Sequence, residues 1–219
     1  AEYKAIKGHT MQNRTADPLV AGVAGAAWTS GGNITTGREG ARGGGVSQSA
    51  VVIFGGNDGS VSGKTENYNG TAWSETTDMN TGKTNSLGTG TYTAALAAMT
   101  GTAETWDGSS WSEVSELNTP RQEVGSLGTQ TASLAIGNQN GASGIVEQWN
   151  GSSWSEVADL NTAVGATNGF GTTAAGNAAG GSDGNPTPAG VTNNQSWNGS
   201  AWTEVGDLNQ PREFSGASG

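Results

Sequence analysis

The sequence has no cysteine and a single histidine, His9, in 219 residues. Without cysteine there is no disulfide framework and no thiol nucleophile. One histidine outside the repeats described below cannot build a histidine-rich metal centre, and no Ser-His-Asp set can form from repeat residues. Basic residues are few: 9 Lys and Arg stand against 19 Asp and Glu, a net charge of −10. Nucleic acids and anionic membranes are met by clusters of Lys and Arg, so neither partner is expected. No apolar run reaches the length of a bilayer span. The start, Ala1 to Lys7, lacks the apolar core of a signal peptide; it resembles a protein made inside the cell that has lost its initiator Met. Leu, Ile, Val and Phe number 29. That is little material for a core, and composition alone leans toward disorder.

What the chain has instead is a period. One stretch recurs at 66–80, 104–118, 147–161 and 194–209. In every copy an aromatic residue lies five positions before a Trp: Tyr68/Trp73, Trp106/Trp111, Trp149/Trp154 and Trp197/Trp202. Between them stands Asn-Gly or Asp-Gly, a strong hairpin signal because tight turns need positive φ. The expectation is a two-residue turn at Asn69-Gly70, Asp107-Gly108, Asn150-Gly151 and Asn198-Gly199, with the aromatics packed between neighbouring units. An isolated hairpin is marginal in water, so four of them imply a repeat architecture.

The second Trp of each pair, with Trp28, marks the phase: 28, 73, 111, 154 and 202. Periods in the forties with about four strands each are those of propeller blades. Between hairpins lie a small-residue strand and an apolar strand ending in or near Gly, at 45–56, 88–101, 128–137 and 171–181. Small residues suit strands crowded around an axis. The fold class is therefore all-β, a propeller of four-stranded blades with four full units at about 43–77, 86–115, 125–158 and 168–206 and one partial. Residues 1–26 read as an N-terminal adaptor or tether and 27–219 as the repeats. A lone Trp strand at 27–35 and a lone first strand at 212–219 leave two ways to close a ring: residues 1–25 supply the missing strands, or further repeats follow Gly219. The second is favoured, because Gly216 to Gly219 stop where other copies continue.

These residues resemble the kelch motif. Arg38 or Arg42, Val51-Val-Ile-Phe-Gly-Gly56, Tyr68 and Trp73 fit its succession of Arg, apolar strand ending in Gly-Gly, aromatic and Trp; Arg121 and Arg212 keep the Arg, whereas the copies near 83 and 164 have lost it. The hairpin text, with Gly128-Thr-Gln-Thr-Ala132, is similar to the kelch-like repeats of virion proteins of tailed phages, particularly marine cyanobacterial phages. The resemblance implies a bacteriophage virion structural protein: a tail fibre, appendage or capsid decoration, exposed on the particle after synthesis in the host cytoplasm. It implies partners among other virion proteins through the N-terminal segment, assembly as a homo-oligomer, and receptor binding to a host-surface glycan. The alternatives are a kelch-type protein-interaction scaffold and a polysaccharide-degrading glycosidase. Some kelch-fold proteins are copper oxidases built on a Tyr-Cys cross-link and His ligands, which a chain without Cys excludes.

No enzyme activity and no cofactor are expected. The acids recur at Glu75, Glu113, Glu156 and Glu204, after each Trp-Ser/Thr pair. A residue copied into every unit reads as a solvated strand face, not as the carboxylate pair of one glycosidase site. Asn57-Asp-Gly-Ser60 and Ser182-Asp-Gly-Asn185 have oxygen ligands suited to Ca²⁺, but equally suit ordinary turns, the reading preferred. The Trp residues read as packing residues before sugar-stacking ones. Asn13, Asn33, Asn69, Asn150 and Asn198 fall in Asn-x-Ser/Thr sequons, three of them through turn chemistry. The loops at 57–64, 101–103, 138–144 and 182–192 vary most in length, and variable loops on a constant scaffold carry recognition. Asn57, Asp58, Asn138, Asn140, Asp183 and Asn185 are the candidate binding residues.

Overall fold

Tyr68 pairs with Trp73, Trp106 with Trp111, Trp149 with Trp154 and Trp197 with Trp202 as cross-strand neighbours. Their ring centroids lie 5.1, 5.4, 5.3 and 5.2 Å apart, within the range of favourable aromatic pairs. The structure is a computed structural model and describes residues 31–138, 142–184 and 190–212. Trp28 and the proposed tether at 1–26 lie outside the described residues, as does 213–219.

Each aromatic pair sits on the outer hairpin of one four-stranded antiparallel sheet. The first sheet is β1 (Arg42–Ser47), β2 (Ala50–Phe54), β3 (Thr65–Tyr68) and β4 (Trp73–Glu75). The second is β5 (Leu87–Thr91), β6 (Ala94–Met99), β7 (Thr102–Trp106) and β8 (Trp111–Val114). The third is β9 (Gly125–Gly128), β10 (Ser133–Ile136), β11 (Val146–Trp149) and β12 (Trp154–Glu156). The fourth is β13 (Asn168–Thr172), β14 (Ala175–Ala179), β15 (Asn194–Trp197) and β16 (Trp202–Glu204). Every sheet runs in simple sequence order. They are four blades of a β-propeller, with β1 packed on β5, β5 on β9 and β9 on β13.

The core is divided among the seams between blades. Val52 and Phe54 of β2 meet Trp106 and Trp111 of the second blade, with Phe54 edge-on to Trp111 at 5.0 Å and 71°. Leu96 and Ala98 meet Trp149 and Trp154; Leu134 and Ile136 meet Trp197 and Trp202. The first three blades thus offer apolar side chains forward, and each blade carries an aromatic pair on its backward face. A fully buried side chain of this kind contributes about 1.5–3 kcal/mol, so a few large residues per seam suffice where Leu, Ile and Val are scarce. In the second to fourth blades these Trp residues are buried, whereas Tyr68 and Trp73 on the backward face of the first blade are half-buried.

The inner strands are small because they touch. A Cβ on Gly44 would lie 2.5 Å from the Gly90 carbonyl oxygen of the next blade. Gly90 itself holds φ at +116°, and a side chain there would collide with the Ala94 carbonyl.

The hairpin turns correct the expected register. Between the paired aromatics lie four residues, not two. Asn69 closes the last backbone bond, donating its N–H to the Ala72 carbonyl at 3.3 Å. Its side-chain Oδ1 then accepts from the N–H groups of Thr71 (2.9 Å) and Ala72 (3.0 Å). Gly70 carries the positive φ, +92°. Asp107, Asn150 and Asn198 build the same turn. The dipeptide sits one position earlier than expected because the Asn or Asp works through its side chain and only the Gly needs the left-handed backbone. A two-residue connection does occur, at Thr100-Gly101 between β6 and β7, in place of the loop expected at 101–103.

Candidate functional site

Antiparallel order places the β2–β3, β6–β7, β10–β11 and β14–β15 connections at one end of the blades, together with the linkers that enter each inner strand. The hairpin turns lie at the opposite end. The first end carries the buried ion pairs and the loops of unequal length.

Two residues ahead of the first aromatic in each hairpin stands Glu66, Glu104, Glu147 or Gln195, each at most 1% exposed. Each receives the linker that enters its blade. Glu104 accepts the N–H groups of Asn80 (2.8 Å) and Thr81 (3.0 Å) and pairs with the Lys83 ammonium. Glu147 accepts those of Asn118 (2.8 Å) and Thr119 (3.1 Å) and pairs with Arg121 at 3.3 Å. Glu66 accepts Thr35 N–H and the Arg38 guanidinium, both at 2.7 Å. In the fourth blade Val164 replaces the cation and Gln195 replaces the acid. Gln195 still accepts Asn161 N–H at 2.8 Å and donates to the Thr162 carbonyl at 2.9 Å.

The cation and the acid are therefore present together or absent together. A buried charge left alone is costly, whereas a neutral pair of matching shape is not. Burial pulls the Arg121 guanidinium below its ordinary pKa, and the Glu147 carboxylate opposes that pull. The linker Asn adds a clip: Asn80, Asn118 and Asn161 donate their side-chain amides to the carbonyls of Trp111, Trp154 and Trp202 at 3.2, 3.0 and 2.9 Å. Sequence reasoning missed this set. With no solvent access, these acids hold seams and are closed to ligands.

The candidate loop residues sit around this scaffold. Asn57 exchanges both backbone bonds with Glu39, and its Oδ1 accepts Gly59 N–H at 2.9 Å. Asp58 pairs with Lys64 at 3.1 Å, and that hydrogen bond holds its carboxyl below the ordinary value. Lys64 also donates to Thr36 at 3.1 Å. The first loop is thus a turn closed by its own ion pair. Asn138 is half-buried and donates its N–H to the Val164 carbonyl at 3.4 Å. Asp183 is exposed beside Ser182, which exchanges two backbone bonds with Gly165. Asn140 and Asn185 lie outside the described residues. The loops share one end of the fold but are distributed over separate blades. Among the described residues no group of three or more His, Cys, Asp or Glu is placed to hold a metal ion. Glu75, Glu113, Glu156 and Glu204 are exposed along the outer strands, the solvated face that repetition implied.

A cavity of about 200 Å³ lies among the inner strands, lined by Gly43–Gly45, Gly88–Gly90, Ser126–Gly128 and Gly169–Gly171. Its wall is mostly glycine backbone, with Thr89, Ser126, Leu127 and Phe170 supplying the side chains.

Blades, seams and central cavity define the class, a β-propeller. No family model matches the sequence, and no curated protein matches it. Among solved structures the chain is similar to YjhT, with a TM-score of 0.69 at 13% identity, covering 83% of this chain and 74% of that one. At that identity the likeness is one of fold alone.

Proposed function

We propose that the protein is a non-enzymatic virion protein of a tailed phage, a tail fibre, appendage or capsid decoration, that displays a kelch-like propeller for adhesion to a host-surface glycan. The observation that carries this reading is the contrast between constant blades and one unequal rim. The seams repeat one plan, apolar residues of one blade against the aromatic pair of the next, with the linker held by a buried Glu or Gln. On the same end, the connection between the second and third strands shrinks to Thr100-Gly101 in one blade and extends from Gly180 to Asn193 in another. A scaffold held fixed while one set of loops varies is the usual arrangement for recognition. The acidic balance of the chain and its Ser, Thr and Asn-rich surface suit polar ligands with many hydroxyls. Adhesion is assigned to the loops 57–64, 138–144 and 182–192. Residues 1–26 are assigned to anchorage on other virion proteins.

Two experiments test this. Mass spectrometry of purified virions is expected to detect the protein on the particle; finding it only in host cytosol overturns the virion reading. Replacing 182–192 by the shorter 138–144 loop is expected to reduce host adsorption. Unchanged adsorption removes the rim from the account.

A further inference from the structure

The linker that seats a buried glutamate occurs once more after the fourth blade, and there it is exposed. Asn209-Gln210-Pro211-Arg212 repeats the pattern of Asn118-Thr119-Pro120-Arg121. Its backbone is anchored as the earlier linkers are. Gly181 donates to the Arg212 carbonyl at 2.7 Å, as Gly56 donates to that of Lys83 at 2.7 Å. Arg212 N–H donates to the Val191 carbonyl at 3.2 Å. All four residues are exposed, and among the described residues the Arg212 guanidinium has no carboxylate. At the equivalent places Arg38, Lys83 and Arg121 each hold one.

We infer that Asn209–Arg212 is a preformed carboxylate socket that docks a further β-blade of this same repeat, through a glutamate two residues ahead of an aromatic. Two backbone N–H groups and one cation define the socket in the second and third blades, and a strand-borne glutamate fills it both times. The forward face beside it is fitted to an aromatic pair with a polar handle. Asn177 stands where Val52, Leu96 and Leu134 stand in the other blades, and it donates to Asn194 Oδ1 at 3.1 Å. Asn194 takes the place of Thr65, whose hydroxyl accepts the indole N–H of Trp111 at 2.9 Å. An incoming Trp finds an acceptor at the same point.

The test extends the full chain by a copy of residues 129–160 joined after Gly219. Hydrogen exchange then reads protection in the added Glu-x-Trp strand. The expected result is protection at least ten-fold above an unfolded chain, lost on Arg212→Ala while blades one to four keep theirs. Arg212→Lys retains it, as Lys83 does in the second blade. Arg212→Val combined with Glu147→Gln in the added copy restores it, in imitation of Val164 and Gln195. An added unit that exchanges like unfolded chain overturns the inference, as does protection indifferent to Arg212→Ala.

Discussion

Lys83 and Glu104 meet as a fully buried ion pair across the seam between the first and second blades, with the linker N–H groups of Asn80 and Thr81 on the same carboxylate. The fourth blade, with Val164 and Gln195, shows what the pair becomes when both charges are removed together.

Removing one member of the pair should therefore be far worse than removing both. Lys83→Met or Glu104→Ala is expected to cost about 3–5 kcal/mol in urea unfolding, because a buried charge is left unpaired. The double change Lys83→Val with Glu104→Gln is expected to recover most of that loss. If the double variant is as unstable as the sum of the singles, the seam does not work as described.

The aromatic pairs make a graded prediction. Trp154 is buried and its indole N–H donates to the Ser115 carbonyl at 3.0 Å. Trp154→Ala is expected to cost about 3–5 kcal/mol, as for other buried aromatics. Trp73 is half-buried, and Trp73→Ala should cost clearly less. Trp202 is equally buried, but among the described residues its indole nitrogen has no hydrogen-bond partner. Trp154→Phe should therefore destabilise more than Trp202→Phe, by about 1 kcal/mol, the worth of one hydrogen bond. Equal effects in calorimetry would contradict the assignment.

Asp107 offers a pH test. The backbone N–H of Ser110, then that of Ser109, lowers its pKa to about 2. A depressed carboxylate stabilises the fold at pH values above its unfolded pKa. That contribution fades as pH falls through the carboxylate range and is gone below about 2. Carbon-detected NMR titration should place the Asp107 midpoint near 2, and Asp107→Asn should leave the turn intact, since Asn69, Asn150 and Asn198 already serve there. Asp107→Ala should lower Tm. A midpoint in the ordinary Asp range would show that the turn does not hold its carboxylate.

The backbone has its own test. Gly90→Ala is expected to destabilise strongly, because the position combines left-handed φ with a collision against the Ala94 carbonyl. Gly101→Asn should be tolerated: φ is +75°, a conformation Asn accepts, and nothing lies within 4 Å of a Cβ there. Similar urea midpoints for the two variants would refute the crowding of the inner strands.

These residues also show what the sequence could convey. The aromatic pairs were legible because Trp is rare enough that a fixed offset stands out, and small inner strands followed from the need for close approach. The turns came out one position off because Asn-Gly announces positive φ without saying whether Asn acts through backbone or side chain. Glu66, Glu104 and Glu147 were passed over because an acid in a strand ordinarily reads as solvated. A signal for them was present. Each stands two residues before an aromatic and each accompanies a cation at 38, 83 or 121, and in the fourth blade acid and cation vanish together, replaced by Gln195 and Val164. Rim loops gave only length, since exposed turns have no fixed spacing to read.

The most direct measurement of the account is incubation of the purified protein with host-surface polysaccharide, followed by co-sedimentation and by chromatography of the supernatant. The account predicts that protein sediments with the polymer and that no oligosaccharide is released. Released oligosaccharide would contradict it by making the propeller a glycosidase, and protein that stays wholly in the supernatant would contradict adhesion itself.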